Sequence, residues 1–291
     1  MKLLLAVAFS LIASPILAAQ VKAVASFSIL GDMVARIGGD RVAVTTIVGP
    51  NADTHVYEPK PSDAAAVAGA DVFFINGLGF EGWMDRFVES TGYKGVLSVA
   101  SDGVVTHTMD EDGEEITDPH AWQSLKNGVL YAHNIAKGLC TVDTAGCATY
   151  TANAEAYAAE MTTLDATVRE ALEAVPAGQR RVITTHDAFG YFGEAYGVSF
   201  LAPEGVSTDA DPSAAGVARL ITQIRDAGVK ALFIENMSDP RLIQQIASET
   251  GVTLGGELYA DALSEPDGPA ATYIDMFRHN VGLLIPAMEG K

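Results

Sequence analysis

The sequence predicts an α/β protein of two lobes, each a mainly parallel sheet flanked by helices, joined by one long linking helix. Two observations predict it. Apolar strand-like runs alternate with amphipathic helical runs in two separate blocks, and such alternation builds parallel sheets covered by helices. Between the blocks, Thr149 to Val175 is an Ala- and Glu-rich helical pattern with no Gly or Pro. At the helical rise its ~27 residues span ~40 Å, the reach of a connector between two bodies.

The 291 residues suffice for two domains, and a hydrophobic content of 48% supplies a sizeable core. The N-terminus reads as a processing signal: Lys2 gives the positive end, Leu3 to Leu17 the apolar run, and Ala18-Ala19 the small residues of a cleavage site. The expected division is therefore a signal peptide at 1–18, an N-terminal lobe at 19–142, the linking helix at 143–175 and a C-terminal lobe at 176–291. The protein is expected to be exported to a bacterial periplasm. The net charge of −19 repels phosphate backbones, so nucleic acid is excluded as a partner.

Taken in order, Val21 to Phe27 is a buried strand, and Ile29 to Ile37 carries apolar residues at helical spacing up to Gly38-Gly39. Val42 to Val48 is a second strand, broken by Gly49-Pro50-Asn51. Pro61 opens an Ala-rich helix, Asp71 to Asn76 is a continuous apolar strand, Trp83 to Val88 is helical, and Gly95 to Val99 is a strand. Ser101 to Pro119 holds His107 and the acidic string Asp110, Glu111, Asp112, Glu114 and Glu115, and reads as a surface loop. Leu125 to Leu139 is a helix.

After Pro176 the alternation restarts. Strands are expected at Arg181 to Thr185, Val198 to Leu201, Ala231 to Ile234 and from Val252 onward. Helices are expected at Ala188 to Tyr196, Pro212 to Ala227, Leu242 to Thr250 and Pro269 to Met288. Cys140 and Cys147 have six residues between them and fall in an oxidising compartment, so a disulfide is the default, with a thiolate metal pair as its rival.

Four polar stretches far apart in sequence each place a metal ligand where a loop is expected: His55, His120, His186 and Asp261. Three imidazoles and a carboxylate suit Zn²⁺, which takes nitrogen and oxygen donors in a tetrahedron. Two ligands would come from each lobe, burying the ion in the crevice at the carboxyl ends of the strands. His133 and His279 fall inside helices, and ordinary structural roles are expected for both. Asp187, Glu235, Asn236 and Ser207 are candidates to fix the imidazole tautomers.

With these residues in view, the chain resembles the metal-receptor family of bacterial ABC importers, the solute-binding proteins for zinc and manganese. The resemblance is carried by His55-Val-Tyr-Glu-Pro-Lys-Pro-Ser-Asp63, Asp118-Pro-His-Ala-Trp122, His186-Asp-Ala-Phe-Gly-Tyr-Phe192, and Asp261 with Tyr273. It implies two lobes with a linking helix, the same four ligands, and delivery of the metal to a membrane permease. A metal-loading chaperone is an optional further partner, and the receptor itself is expected to be a monomer. Manganese receptors of this family place a carboxylate where this chain has His186, so the expected metal is zinc, with a manganese receptor as the alternative. The loop before His120 is short and acidic, unlike the long His-rich loop of the better-known zinc receptors.

An exported zinc hydrolase is the rival from another class. It needs an open coordination position, which a fourth protein ligand, Asp261, would close. No H-E-x-x-H helix, G-x-S-x-G elbow or phosphate loop is present. An exported adhesin or a metal store would share the site and differ only in its partners.

Overall fold

The computed structural model describes residues 20–111, 114–209 and 213–290. The signal-peptide reading of residues 1–18 lies outside the described residues. In the first sheet, β1 (Val21–Phe27) leads through α1 (Ser28–Gly38) to β2 (Val42–Val48). A long loop then reaches α2 (Pro61–Ala68), β3 (Val72–Ile75), α3 (Met84–Thr91) and β4 (Val96–Val99). The strand order is β2-β1-β3-β4, and every pairing is parallel. Helices cover both faces of the central strands, which explains why β3 is buried at every position while the edge strand β4 alternates with solvent.

The acidic stretch from Ser101 to Pro119, expected to be a loop, contains β5 (Thr108–Glu111) and β6 (Glu114–Thr117), an antiparallel hairpin. Thr108 faces Thr117 and Met109 faces Ile116, so a Thr–Thr pair and an apolar pair hold a ribbon whose overall composition looks like a solvated charge run.

Next come α4 (Leu125–Val142) and α5 (Cys147–Glu173). The second sheet is built from β7 (Arg181–Ile183), α6 (Gly190–Tyr196), β8 (Ser199–Leu201), α7 (Ala214–Ala227), β9 (Ala231–Glu235), α8 (Arg241–Thr250), β10 (Thr253–Leu258) and α9 (Tyr273–Glu289). Its order is β10-β9-β7-β8, again all parallel. Ser213 and Thr272 cap α7 and α9, their hydroxyl oxygens accepting from the Gly216 and Asp275 amides.

The 27-residue α5 is the linking helix. Its buried residues Tyr150, Ala154, Tyr157, Ala158 and Met161 recur at helical spacing, and the helix packs against α1 and α4 on one side and α6 and α9 on the other. Ile183, Leu220, Ile224, Leu232, Ile243 and Ile246 form a separate small core beneath one face of the second sheet. No helix among the described residues is long and apolar enough to cross a membrane.

Cys140 and Cys147 are joined by a disulfide that staples the end of α4 to the start of α5. Closing a short loop restrains the unfolded chain, so replacing both with Ala is expected to lower the unfolding free energy by about 2 kcal/mol. Urea denaturation of the two proteins checks it, and coincident transitions would contradict it. Metal affinity should not change, because neither sulfur belongs to the donor set.

Candidate metal centre

Each candidate donor is carried by a loop leaving the carboxyl end of a strand, where crevices form in parallel sheets. His55 lies in the loop after β2, and its amide donates to Asp53 Oδ1 at 2.9 Å. His120 follows β6 and opens a short turn at Ala121–Gln123. His186 follows β7 by three residues, and Asp261 follows β10 by three. His120, His186 and Asp261 have no accessible surface, and the His55 side chain retains only 4%.

The structure brings these four together: one donor atom from each lies within 4.8 Å of all the others. Nε2 of His186 is 3.0 Å from Asp261 Oδ2, and Nε2 of His55 is 3.3 Å from the same oxygen. Nε2 of His120 is 3.8 Å from Asp261 Oδ1 and 3.4 Å from His55 Nε2.

What lies behind the rings fixes which atom faces inward. His120 Nδ1 is 2.8 Å from Asp118 Oδ1, and His186 Nδ1 is hydrogen-bonded to Glu235 Oε2. A proton at each Nδ1 is thereby committed to a carboxylate, leaving the Nε2 lone pairs aimed at the common centre. His186 Nε2 and both Asp261 oxygens are buried without a hydrogen-bond partner. Electron pairs gathered in a buried pocket repel one another unless a proton or a metal cation sits among them, so the donor set fits a divalent ion.

The electrostatics agree. Burial pushes the Asp261 carboxyl up, but His186 and His120 overcome this and hold it well below the usual carboxylate range. Burial likewise opposes charge on His186, yet Glu235 and Asp261 carry that imidazole well above its ordinary value. In the metal-free protein His186 therefore keeps a proton that an incoming cation must displace. Phe80 stands edge-on to His55 at 4.9 Å, and Trp122 packs 5.2 Å from His120, so aromatic walls exclude water and fix the rings.

Of the candidates to orient the imidazoles, Glu235 is the one that does so: Oε1 also accepts the Thr185 and His186 amides, at 3.0 and 3.2 Å. Asn236 instead bonds Asn51, and Ser207 lines the mouth of a cavity above His55. Asp187 is buried beside the site, and burial together with Asp118 pushes its carboxyl up to about 6. Asp118 was missed as the partner of His120, although it stands two residues before it, across Pro119. His133 lies on α4 within 3.9 Å of Glu155, and His279 Nε2 contacts the Glu257 carbonyl at 2.9 Å, both apart from the donor set.

His55 and His120 leave strands that precede the linking helix, whereas His186 and Asp261 both leave strands of the second sheet. The Asp261 loop is bonded to its own half, where Asn236 Nδ2 donates to the Ala262 carbonyl at 3.3 Å, and it also reaches across to the first half. The Ala260 carbonyl accepts from Trp122 Nε1 and Gln123 Nε2 at 2.9 and 2.8 Å. The Leu263 amide donates to Ser28 Oγ at 2.9 Å, and its carbonyl accepts from the Asn51 amide at 3.0 Å. These bonds tie the two halves together beside the site, and His186 is held within the second sheet through Glu235.

A two-lobed α/β chain with a linking helix and a buried three-His, one-Asp set defines a class: substrate-binding receptors of ABC importers for divalent metals, which are not enzymes. The chain belongs to the family described as zinc-uptake complex component A, periplasmic, whose sequence pattern matches residues 23–287. It is 35% identical over 268 residues to the manganese-binding lipoprotein MntA of Halalkalibacterium halodurans, covering 92% of this chain and 88% of that one. It is also 35% identical to the iron-binding protein YfeA of Yersinia pestis, covering 91% of this chain and 85% of that one.

Among solved structures, the periplasmic zinc-binding protein TroA of Treponema pallidum superposes with a TM-score of 0.87 at 27% identity, covering 92% of this chain and 99% of TroA. The Mn-bound periplasmic metal-binding protein of Candidatus Liberibacter asiaticus gives 0.83 at 31% identity, covering 92% and 99%.

Proposed function

We propose that the chain is a periplasmic zinc receptor that captures Zn²⁺ with His55, His120, His186 and Asp261 and delivers it to an ABC permease. The observation that carries this reading is the convergence of three imidazole Nε2 atoms on a buried, unpartnered carboxylate. Relatives are named for zinc, manganese and iron, so the choice among metals rests on the donors themselves. Imidazole nitrogen suits zinc, whereas manganese favours carboxylate, carbonyl and water oxygen. Residues 1–18 would direct export, and the lobes would divide at 19–142 and 176–291 about the helix within 143–175.

In the proposed mechanism the ion enters between the lobes and displaces the proton on His186. Asp118 and Glu235 hold the inner nitrogens in place, and Asp261 neutralises one of the two charges. Docking on the permease would then alter the lobe geometry and part His186 and Asp261 from His55 and His120. Competition between Zn²⁺ and Mn²⁺ at neutral pH, followed by metal analysis of the separated protein, tests the choice of metal. Zinc is expected to win by about 100-fold or more, as the general order of divalent affinities also favours. Equal or tighter manganese binding would overturn the assignment.

A further inference from the structure

His107 is the one histidine near the centre that the donor set leaves unused, and the structure places it with care. The hairpin begins one residue later, where Thr108 faces Thr117, and the same register continued outward sets His107 opposite Asp118. The His107 carbonyl accepts the Asp118 amide at 3.2 Å, which closes that end of the hairpin. The His107 ring packs on Tyr191 with centroids 4.1 Å apart, and its Nε2 points at Asp118 Oδ2 from 3.5 Å.

Asp118 has no accessible surface, and its two oxygens are unequally served. Oδ1 takes the His120 amide and lies 2.8 Å from His120 Nδ1. Oδ2 is buried with no hydrogen-bond partner, and so is His107 Nε2. A buried donor and a buried acceptor, each orphaned and facing the other, are the two halves of one hydrogen bond. Gly190 leaves the space for it: a Cβ there would stand 2.5 Å from Asp118 Oδ2 and 2.9 Å from His107 Cε1.

We infer that His107 is a positioning residue: its Nε2–H donates to Asp118, and Asp118 in turn holds the His120 ring with Nε2 turned to the metal. The inference rests on the four-donor site proposed above. A few tenths of an ångström of approach at Oδ2 completes the bond. Without it Asp118 is held from the His120 side alone, and the ring it steadies is free to turn. Such outer partners typically matter 10- to 100-fold in metal affinity. The hairpin thereby has a purpose that acidity alone does not supply: its register delivers a donor to the back of a ligand.

The test is the Zn²⁺ affinity, measured against a competing chelator, of His107→Phe and His107→Gln in the wild-type and Asp118→Asn backgrounds. Phe keeps the ring that packs on Tyr191 and removes the donor, so affinity should fall about 10-fold. Gln restores an N–H at nearly the same reach and should recover most of the loss. In the Asp118→Asn background, His107→Phe should cost nothing further, because the two act as one unit.

Equal affinity of His107→Phe and wild type would overturn the inference, as would the same loss in both backgrounds. Should Asp118→Asn not fold, the ¹⁵N shift of His120 Nδ1 in zinc-loaded His107→Phe decides: a moved signal supports the inference and an unmoved one contradicts it. Failure of the four-donor reading looks different, since wild type itself would then hold no zinc.

Discussion

Asp261→Ala is expected to weaken zinc binding by at least about 100-fold, more than the 10- to 100-fold typical of partners one step further out. Three effects combine. A coordinating oxygen is lost, water takes its place, and no coordinating charge balances the ion. Loss of the carboxylate also loosens the proton on His186, which eases metal entry and offsets only part of these losses. Its loop should stay in place, because Trp122 and Gln123 donate to the Ala260 carbonyl and the Leu263 amide donates to Ser28, all through the loop's backbone. Titration of the variant with Zn²⁺ under chelator competition checks the value. A loss below about 3-fold would mean that Asp261 does not coordinate, which would reopen the question of an accessible water on the metal.

The second large effect is expected at Glu235. Glu235→Gln should lower zinc affinity about 10- to 100-fold, because the carboxylate that fixes the His186 tautomer becomes an amide that can present either face. The same change should alter the proton balance. Glu235 raises His186, so its removal brings that imidazole down and fewer protons leave when zinc binds at neutral pH.

The sign is fixed by linkage. In the metal-free protein a raised imidazole value stabilises the fold below about 6.5, and this stabilisation fades as pH rises through the raised value. Metal affinity runs the other way: it falls as pH drops and the proton returns. Calorimetry in buffers of different ionisation enthalpy counts the released protons. An undiminished count in Glu235→Gln would contradict the assignment.

Much of this was legible in the sequence, for identifiable reasons. The two sheets announce themselves through continuous apolar runs such as Val72–Ile75, which only a strand covered on both faces carries. The long helix was expected from Thr149 to Val175 and runs from Cys147–Glu173, since an unbroken Ala-rich pattern has no competing signal. The four candidate donors, which the structure brings together, stood out because each falls in a polar stretch where a loop is expected.

Other features were hidden. The Thr108 and Thr117 pairing lies at the margins of a stretch whose charges dominate its composition, so its alternation passed for a solvated run. Asp118 was in plain sight within Asp-Pro-His, but its task depends on the turn at Pro119. The docking of the Asp261 loop on the first half depends on Trp122 and Gln123, which meet Ala260 across more than a hundred residues of chain. No local pattern encodes such a contact.

The coordination of the bound ion decides more than affinity does, because the general divalent order ranks zinc above manganese at almost any site with such donors. X-ray absorption at the zinc edge of the loaded wild-type protein is therefore the most direct measurement. Four nitrogen and oxygen neighbours are expected at about 2.0–2.2 Å, three of them with the multiple-scattering signature of imidazole, and no water. A five- or six-coordinate shell, fewer than three imidazoles, or an exchangeable water in place of Asp261 would contradict the four-donor reading.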